Sequence, residues 1–155
     1  MVTTPIYYET TSFRSLNFPD RFIRHKNFLL ELDPIVSVLE MRDASFRAIP
    51  GFRGWGRDIL SFQSANFHDR FLRHQNFRLR LDQNSHDSLF WDDSTFIVVP
   101  GNADSSMWSF RSWNFRNKFW RHRNFQLVLE ELDLSNELDR KDSTFAVERG
   151  FVAFG

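Results

Sequence analysis

Three histidines and three aspartates recur at matching positions along this chain, and their side chains are suited to hydrogen-bond chemistry. Each histidine is followed 18 to 20 residues later by an aspartate: His25 by Asp43, His74 by Asp93 and His122 by Asp142. A carboxylate accepts hydrogen bonds from hydroxyl groups, and an imidazole can donate or accept one, so such a pair is suited to the vicinal hydroxyls of a sugar. The residues alone leave a structural alternative, in which the histidine binds a backbone carbonyl and the aspartate closes a turn.

The same residues are poorly suited to metal binding or catalysis. One histidine and one aspartate per copy are too few for a structural zinc site, which needs four protein ligands. Glycosidases need two carboxylates flanking the bond; Asp92 adjoins Asp93, but Arg42 and Lys141 occupy its position in the other copies. The sequence has no nucleophile elbow, P-loop or dinucleotide motif. We therefore expect no enzyme, no metal site and no cofactor.

The histidines lie in a block of 22 residues that is written three times, starting at Ser12, Ser61 and Ser109. The first two copies are identical at 15 of 22 positions and the last two at 12 of 22. Each block is followed by the pattern D-[AS]-[ST]-F, which contains the aspartate. The sequence thus predicts one domain over residues 1–155, built from repeats at about 6–52, 53–102 and 103–155.

Apolar and polar residues alternate within each repeat, as in the FRLRLD of residues 77–82, and this period of two predicts strands with one buried face. About four short strands per repeat predict an all-β fold, a β-trefoil with three pseudo-symmetric four-stranded repeats. A propeller is disfavoured, because propellers have about 4–8 blades. The segment 133–139 (DLSNELD) is the only stretch where we expect a helical turn.

Other repeated residues are expected to serve the fold. Arg and His are adjacent in each block, so they should point to opposite faces of a strand. The variable loops 34–42, 83–92 and 131–141 should form the rims of unequal sites. We expect core packing for the phenylalanines and backbone satisfaction in turns for the asparagines. The residues concerned are Phe13, Phe62 and Phe110; Phe22, Phe71 and Phe119; Phe28, Phe77 and Phe125; Phe46, Phe96 and Phe145; Asn17, Asn66 and Asn114; and Asn27, Asn76 and Asn124.

Composition narrows the choice of partners. The chain has 20 basic and 20 acidic side chains, and this balance argues against nucleic acid as a partner. No apolar run approaches the roughly 20 residues of a membrane helix, so we expect no membrane partner. The first residues lack the features of a signal peptide, and cysteine is absent, so the compartment stays open. We expect a monomer, alone or within a larger protein.

The pattern F-[IL]-R-H-x-N-F, then L-x-L, then D-[AS]-[ST]-F, in three ordered copies, resembles the arabinose-binding domain of fungal and bacterial α-L-arabinofuranosidases, carbohydrate-binding module family 42. The likeness runs from Ser12 to the C-terminus, with Trp120 at the Ile/Leu position of the third copy. It is pronounced in the second copy, where FLRHQNFRLRLD is followed by DDSTF.

The resemblance implies a β-trefoil with up to three pockets for arabinofuranosyl side chains of arabinoxylan or arabinan. It also implies that His25 with Asp43, His74 with Asp93, and His122 with Asp142 bind the sugar hydroxyls. An aromatic that is often Tyr in the family is Phe18, Phe67 or Phe115 here. The leading hypothesis is a non-catalytic, lectin-like module for arabinofuranose-containing polysaccharide, extracellular if that polysaccharide is of plant origin. A trefoil interaction scaffold without sugar binding is the alternative.

Overall fold

A computed structural model describes residues 5–54 and 56–154, and within them it contains twelve strands and three short helices. The first repeat contains β1 (Thr10–Ser15), β2 (Phe22–Lys26), β3 (Leu29–Asp33), α1 (Val38–Asp43) and β4 (Phe46–Pro50). The second contains β5 (Ile59–Ser64), β6 (Arg70–Gln75), β7 (Arg78–Gln83), α2 (Ser88–Asp93) and β8 (Phe96–Pro100). The third contains β9 (Trp108–Ser112), β10 (Lys118–Arg123), β11 (Gln126–Glu131), α3 (Glu137–Asp142) and β12 (Phe145–Arg149).

Six strands close a barrel. In order around the barrel they are β1, β4, β5, β8, β9 and β12, and β12 pairs with β1 from Thr11–Arg149 to Ser15–Phe145. The other six strands form the hairpins β2–β3, β6–β7 and β10–β11, whose second strands meet each other in a triangle. This is the β-trefoil that the sequence predicted, and closure leaves no free edge in the barrel.

The three hairpins turn at two residues that both have positive φ, as in a type I′ turn. In the second repeat these are Asn76 (φ 52°) and Phe77 (φ 59°). The Phe77 carbonyl accepts a hydrogen bond from the Leu129 amide of the next hairpin (2.8 Å), and the other two turns make the same bond around the triangle. The hairpin tips therefore tie the three repeats together. Asn27, Asn76 and Asn124 lie in these turns and adopt the left-handed backbone that asparagine tolerates.

The core lies on the threefold axis. Phe13, Phe62 and Phe110 are fully buried, with ring centroids 5.3 to 6.0 Å apart. Trp120 stacks on Phe110 at 4.2 Å. Phe46, Phe96 and Phe145 are also fully buried, as expected from their repetition. Large repeated aromatics thus fill the shared centre of the barrel.

The helices differ from the prediction, because one occurs in every repeat and not only near residues 133–139. Each begins after a residue whose side chain accepts a backbone N–H in the first turn: Ser37, Asp87 and Asn136. Ser37 and Glu40 form a reciprocal capping box. Each helix ends at the repeated aspartate, and so the helices fix where the aspartates lie.

Candidate functional site

The structure brings each predicted His–Asp pair together. His25 lies near the end of β2 and Asp43 at the end of α1, and His25 Nε2 is 3.3 Å from Asp43 Oδ1. The corresponding distances are 3.4 Å for His74–Asp93 and 3.4 Å for His122–Asp142. The short helix after each hairpin produces this convergence, because it ends at the aspartate.

An asparagine from the following repeat joins each pair. Asn66 Nδ2 donates to Asp43 Oδ1 (2.9 Å), and His25 Nε2 lies 2.9 Å from Asn66 Oδ1. An amide oxygen can only accept, so Nε2 must carry the imidazole proton. Nδ1 has no hydrogen-bond partner in residues 5–54 and 56–154, and it is therefore the ring atom available to a ligand. The expectation that this asparagine serves a turn backbone is wrong, because both ends of its amide bind side chains.

Three such clusters result, and each is shared between two repeats. We define them by their residues as follows. Site 1 contains Arg24, His25, Phe28, Asp43, Asn66 and Phe67; site 2 contains Arg73, His74, Phe77, Asp93, Asn114 and Phe115; site 3 contains Arg121, His122, Phe125, Asp142, Asn17 and Phe18. Site 3 joins the last repeat to the first, so the sites form a closed ring.

Backbone contacts explain why the asparagine reaches the preceding repeat. The amide of Ala65, the residue before Asn66, donates to the carbonyl of Ser45, two residues after Asp43 (3.1 Å). Leu16 and Trp113 make the same bond to Thr144 and Thr95. The hydroxyl-aromatic motif after each aspartate thus positions both the helix end and the asparagine of the next repeat.

The arginine of each Arg-His pair also reaches the aspartate. Arg24 Nη2 donates to Asp43 Oδ2 (2.6 Å), and its Nε donates to the carbonyl of His25 (3.3 Å). Both residues therefore converge on one carboxylate rather than serving opposite faces. Because Arg24 and Asn66 engage different oxygens, the carboxylate is held in a fixed orientation with lone pairs to spare.

Two phenylalanines from adjacent repeats flank each histidine. At site 1 the Phe28 ring is stacked on His25 (6.1 Å, 17°), and Phe67 meets both rings edge-on at 5.2 to 5.5 Å. Phe67 is 40% exposed and Phe77, the counterpart of Phe28, is 43% exposed. Core packing is thus the wrong expectation for Phe77 and Phe125, whereas Phe28 is partly buried against the core. All three lie at the sites because the type I′ turn directs them there.

Burial controls the charge of the three histidines. Their relative exposure is 3% to 4%. Burial lowers the pKa of His25, although the Asn66 hydrogen bond and the Asp43 charge raise it. Burial likewise lowers the pKa of His74 and of His122. A neutral imidazole agrees with the single Nε2 proton that the hydrogen bonds require.

The sites are unequal in the surroundings of the arginine. Arg24 Nη1 lies 3.6 Å from Glu40 in α1, and Arg121 Nη1 donates to Asp139 in α3 (3.0 Å). The same helix position holds Phe90 in α2, where Arg73 lies 5.3 Å over the ring. The variable segments thus alter the sites as their sequences predicted, through the helix rather than through a loop.

A concavity of about 330 Å³ opens at site 3 between Phe18, Phe125 and Leu138. Leu138 is 59% exposed, and its counterparts Leu39 and Leu89 are similarly exposed at 61% and 64%. Leu138, which sequence reasoning missed, adds an apolar side to the rim of site 3. Within the described residues there is no group of three His, Cys, Asp or Glu side chains that could hold a metal ion. The described helices include none that is long and apolar enough to span a membrane.

Comparison with known proteins gives one family match. The model of the family described as "Alpha-L-arabinofuranosidase B (ABFB) domain" matches residues 11–147. A search of curated protein sequences finds no match.

Solved structures share the fold. A GH54 α-L-arabinofuranosidase mutant soaked with 4-nitrophenyl α-L-arabinofuranoside matches with a TM-score of 0.85 at 21% identity, over 98% of this chain and 33% of that chain. An arabinofuranosidase complexed with arabinofuranosyl-α-1,2-xylobiose matches at 0.83 and 21%, over 97% and 33%. The protein called BEL β-trefoil matches at 0.70 and 14%, over 95% and 97%. The chain therefore spans about a third of the length of these arabinofuranosidases.

Proposed function

Because the chain belongs to the α-L-arabinofuranosidase B (ABFB) domain family, we propose that it is a non-catalytic carbohydrate-binding module for arabinofuranosyl groups of polysaccharides. One observation carries this proposal. The same cluster of neutral imidazole, amide and carboxylate, flanked by two phenylalanines, occurs three times at equivalent places in the trefoil. A ligand that binds every repeat in the same way accounts for three such clusters in register, each with acceptor capacity beyond what its internal bonds use.

The chemistry of each cluster suits a sugar ring. In site 1 the inward Nε2–H leaves His25 Nδ1 as an acceptor, and Asp43 keeps acceptor capacity beyond its bonds to Arg24 and Asn66. The Phe28 and Phe67 rings provide apolar contacts for the C–H groups of the sugar. Fixed polar groups beside apolar rings are a combination that small-ligand sites use for orientation and contact.

The same geometry supports binding rather than hydrolysis. Glycosidases place two carboxylates on either side of the bond to be cleaved. Asp43 is held on both oxygens by Arg24 and Asn66, as a fixed acceptor would be. Three weak sites on one chain would bind a branched polymer more tightly than any single site.

Affinity electrophoresis tests the proposal. We expect arabinoxylan and arabinan to retard the chain and unsubstituted xylan to leave its mobility unchanged. His74→Ala together with Asp93→Ala should weaken the retardation, and the triple variant His25→Ala, His74→Ala, His122→Ala should abolish it. His86→Ala changes a histidine outside the three clusters and serves as the matched control. Phe67→Ala, which removes a 40% exposed ring, tests site 1 without disturbing the buried network.

Two results would argue against the proposal. If no arabinose-containing polymer retards the folded chain, the trefoil is better explained as an interaction scaffold. If the triple variant keeps its circular dichroism spectrum and is still retarded, then sugar binding lies outside the clusters. Loss of one hydrogen bond to a neutral partner should weaken a site about three- to tenfold, a change that titration calorimetry measures readily.

A further inference from the structure

A second concavity, of about 930 Å³, lies beside site 1. It is bounded by α1, by the loop between β5 and β6, and by the segment after β12. The lining includes Val38 and Arg42 from the helix, Phe67 and Asp69 from the loop, and Val152 and Ala153 from the C-terminal segment. We call this concavity the groove.

The groove lies where Val152 stands beside α1; a larger residue fills the equivalent place in the second repeat, and the smaller Ala103 occupies it in the third. In the second repeat the segment after β4 binds beside α2: the Arg53 amide donates to Thr95 Oγ1 (3.1 Å). The Arg53 side chain then covers the helix, donating to Asp92 (2.8 Å) and lying 5.4 Å over Trp91. In the segment after β12 the Val152 amide donates the equivalent hydrogen bond, to Ser45 Oγ (3.2 Å). The valine side chain is shorter than that of Arg53 and carries no group that could bond to the helix.

The groove is continuous with site 1, because Asn66 and Phe67 belong to both. Phe67 forms the wall between them. A ligand group seated against His25 and Phe28 could therefore extend past Phe67 into the groove. At about 930 Å³ the groove lies near the upper end of the range for small-molecule pockets, about 300–1,000 Å³, whereas the concavity at site 3 lies at the lower end.

The lining of the groove offers both a free hydrogen-bond donor and a free hydrogen-bond acceptor. The guanidinium of Arg42 has no hydrogen-bond or ion-pair partner in the described part of the chain. Asp69 accepts from Gln83 on Oδ2 only, which leaves Oδ1 available. His68 stacks on Phe154 (3.9 Å) and places Nε2 2.9 Å from the Ala65 carbonyl, so the base of the groove is ordered by its own contacts. A cation, a carboxylate and small apolar side chains together suit uncharged hydroxylated rings better than an anion or an apolar peptide.

We propose that the groove is a second sugar subsite, which binds main-chain residues of the polysaccharide whose arabinofuranosyl branch occupies site 1. This inference rests on the proposed function of site 1. It means that site 1 recognises the arabinofuranosyl branch together with the main chain to which the branch is attached.

Titration by ¹⁵N NMR with two ligands tests the inference. Methyl α-L-arabinofuranoside should shift amides around His25, His74 and His122 and leave those of Val152 and Ala153 unchanged. Arabinofuranosyl-xylobiose should shift both groups. We expect it to bind site 1 about tenfold more tightly than the methyl glycoside, a gain of about 1.4 kcal/mol.

Two variants remove the groove in different ways. Ala153→Trp fills it from an exposed position, and Arg42→Ala removes its free cation. Each should reduce the tenfold preference of site 1 to less than threefold and leave binding of the methyl glycoside unchanged. Ser105→Trp, in the exposed loop after β8, is the matched control and should change neither.

The outcomes separate the two proposals. Unmoved groove amides with shifted His25, His74 and His122 amides would overturn the subsite and leave the sugar-binding function standing. If neither ligand shifts the amides of the clusters, the proposed function itself fails. A preference for the branched ligand that survives both variants would also overturn the subsite.

Discussion

The asparagine that joins two repeats gives a sharp test of how the sites are built. The Asn66 amide accepts hydrogen bonds from Ser64 Oγ and His25 Nε2 and donates one to Asp43, each at 2.9 Å. Asn66→Ala removes all three. Two bonds between neutral groups contribute about 1 kcal/mol each, and the bond to the carboxylate contributes about 2 kcal/mol. Because the site is only partly buried and water can replace some of these bonds, we expect Asn66→Ala to lower the free energy of unfolding by about 3 kcal/mol.

A double-mutant cycle identifies the histidine that is hydrogen-bonded to Asn66. We expect Asn66→Ala and His25→Leu to couple by about 1 kcal/mol, since the two residues share a hydrogen bond. His74→Leu is the matched control, because His74 lies in the same repeat as Asn66 but binds Asn114. The effects of Asn66→Ala and His74→Leu should add to within about 0.5 kcal/mol.

Urea denaturation followed by fluorescence measures these free energies. The leucine substitutions retain apolar volume beside the phenylalanine rings, so the variants should stay folded at low denaturant. Coupling of Asn66 to His74, with none to His25, would refute a site shared between repeats. It would mean that each repeat builds its own site.

Three further predictions follow from the sites and turns. Burial lowers the pKa values of His25, His74 and His122, so the unfolded chain takes up protons before the folded chain as the pH falls below about 6.5. The free energy of unfolding should therefore decrease by up to about 4 kcal/mol per pH unit if all three histidines contribute. His74→Leu should reduce this slope, as measured by urea titrations at several pH values. Phe77→Gly should weaken sugar binding at site 2 about fivefold or more, as measured by NMR. It should change the free energy of unfolding by less than about 1 kcal/mol, because glycine relieves the left-handed backbone (φ 59°) and so offsets the lost contact with Phe115. Asn76→Gly, the control, should leave binding unchanged. Gly51→Ala should lower stability by about 2 kcal/mol in thermal unfolding, since its Cβ would lie 2.8 Å from the Arg53 carbonyl oxygen, whereas Ser105→Ala in an exposed loop should not.

Much of the fold could be predicted because its causes are local. Alternation with a period of two marks strands whichever repeat contains them, and three copies of about four strands leave few closed architectures. The helices were also readable in part. Ser37 and Glu40 have the spacing of a capping box. A helix of six residues is too short to show a helical repeat of apolar residues, so the cap is its only signal in the sequence.

The composition of the sites could be predicted only in part, and the repetition itself is the reason. A residue present in all three copies can pair within its own repeat or with the next one, and the pattern in the sequence is identical in both cases. His25 and Asn66 are 41 residues apart, a separation that becomes a contact only through the bond from Ala65 to Ser45 between repeats. Phe77 was misassigned for a different reason, since its exposure follows from a turn whose positive φ angles usually require glycine or asparagine.

Because each site is shared between two repeats, the three sites differ in how far apart in the sequence their residues lie. Sites 1 and 2 lie between consecutive repeats, where the histidine and asparagine are 41 and 40 residues apart, respectively, whereas His122 and Asn17 of site 3 are 105 residues apart. Site 3 can form only when β12 pairs with β1 and brings the last repeat to the first. Because long-range closure costs more chain entropy than local closure, site 3 should be the last of the three to form and the first to be lost. We therefore expect binding at site 3 to depend on closure of the barrel more strongly than binding at site 2 does.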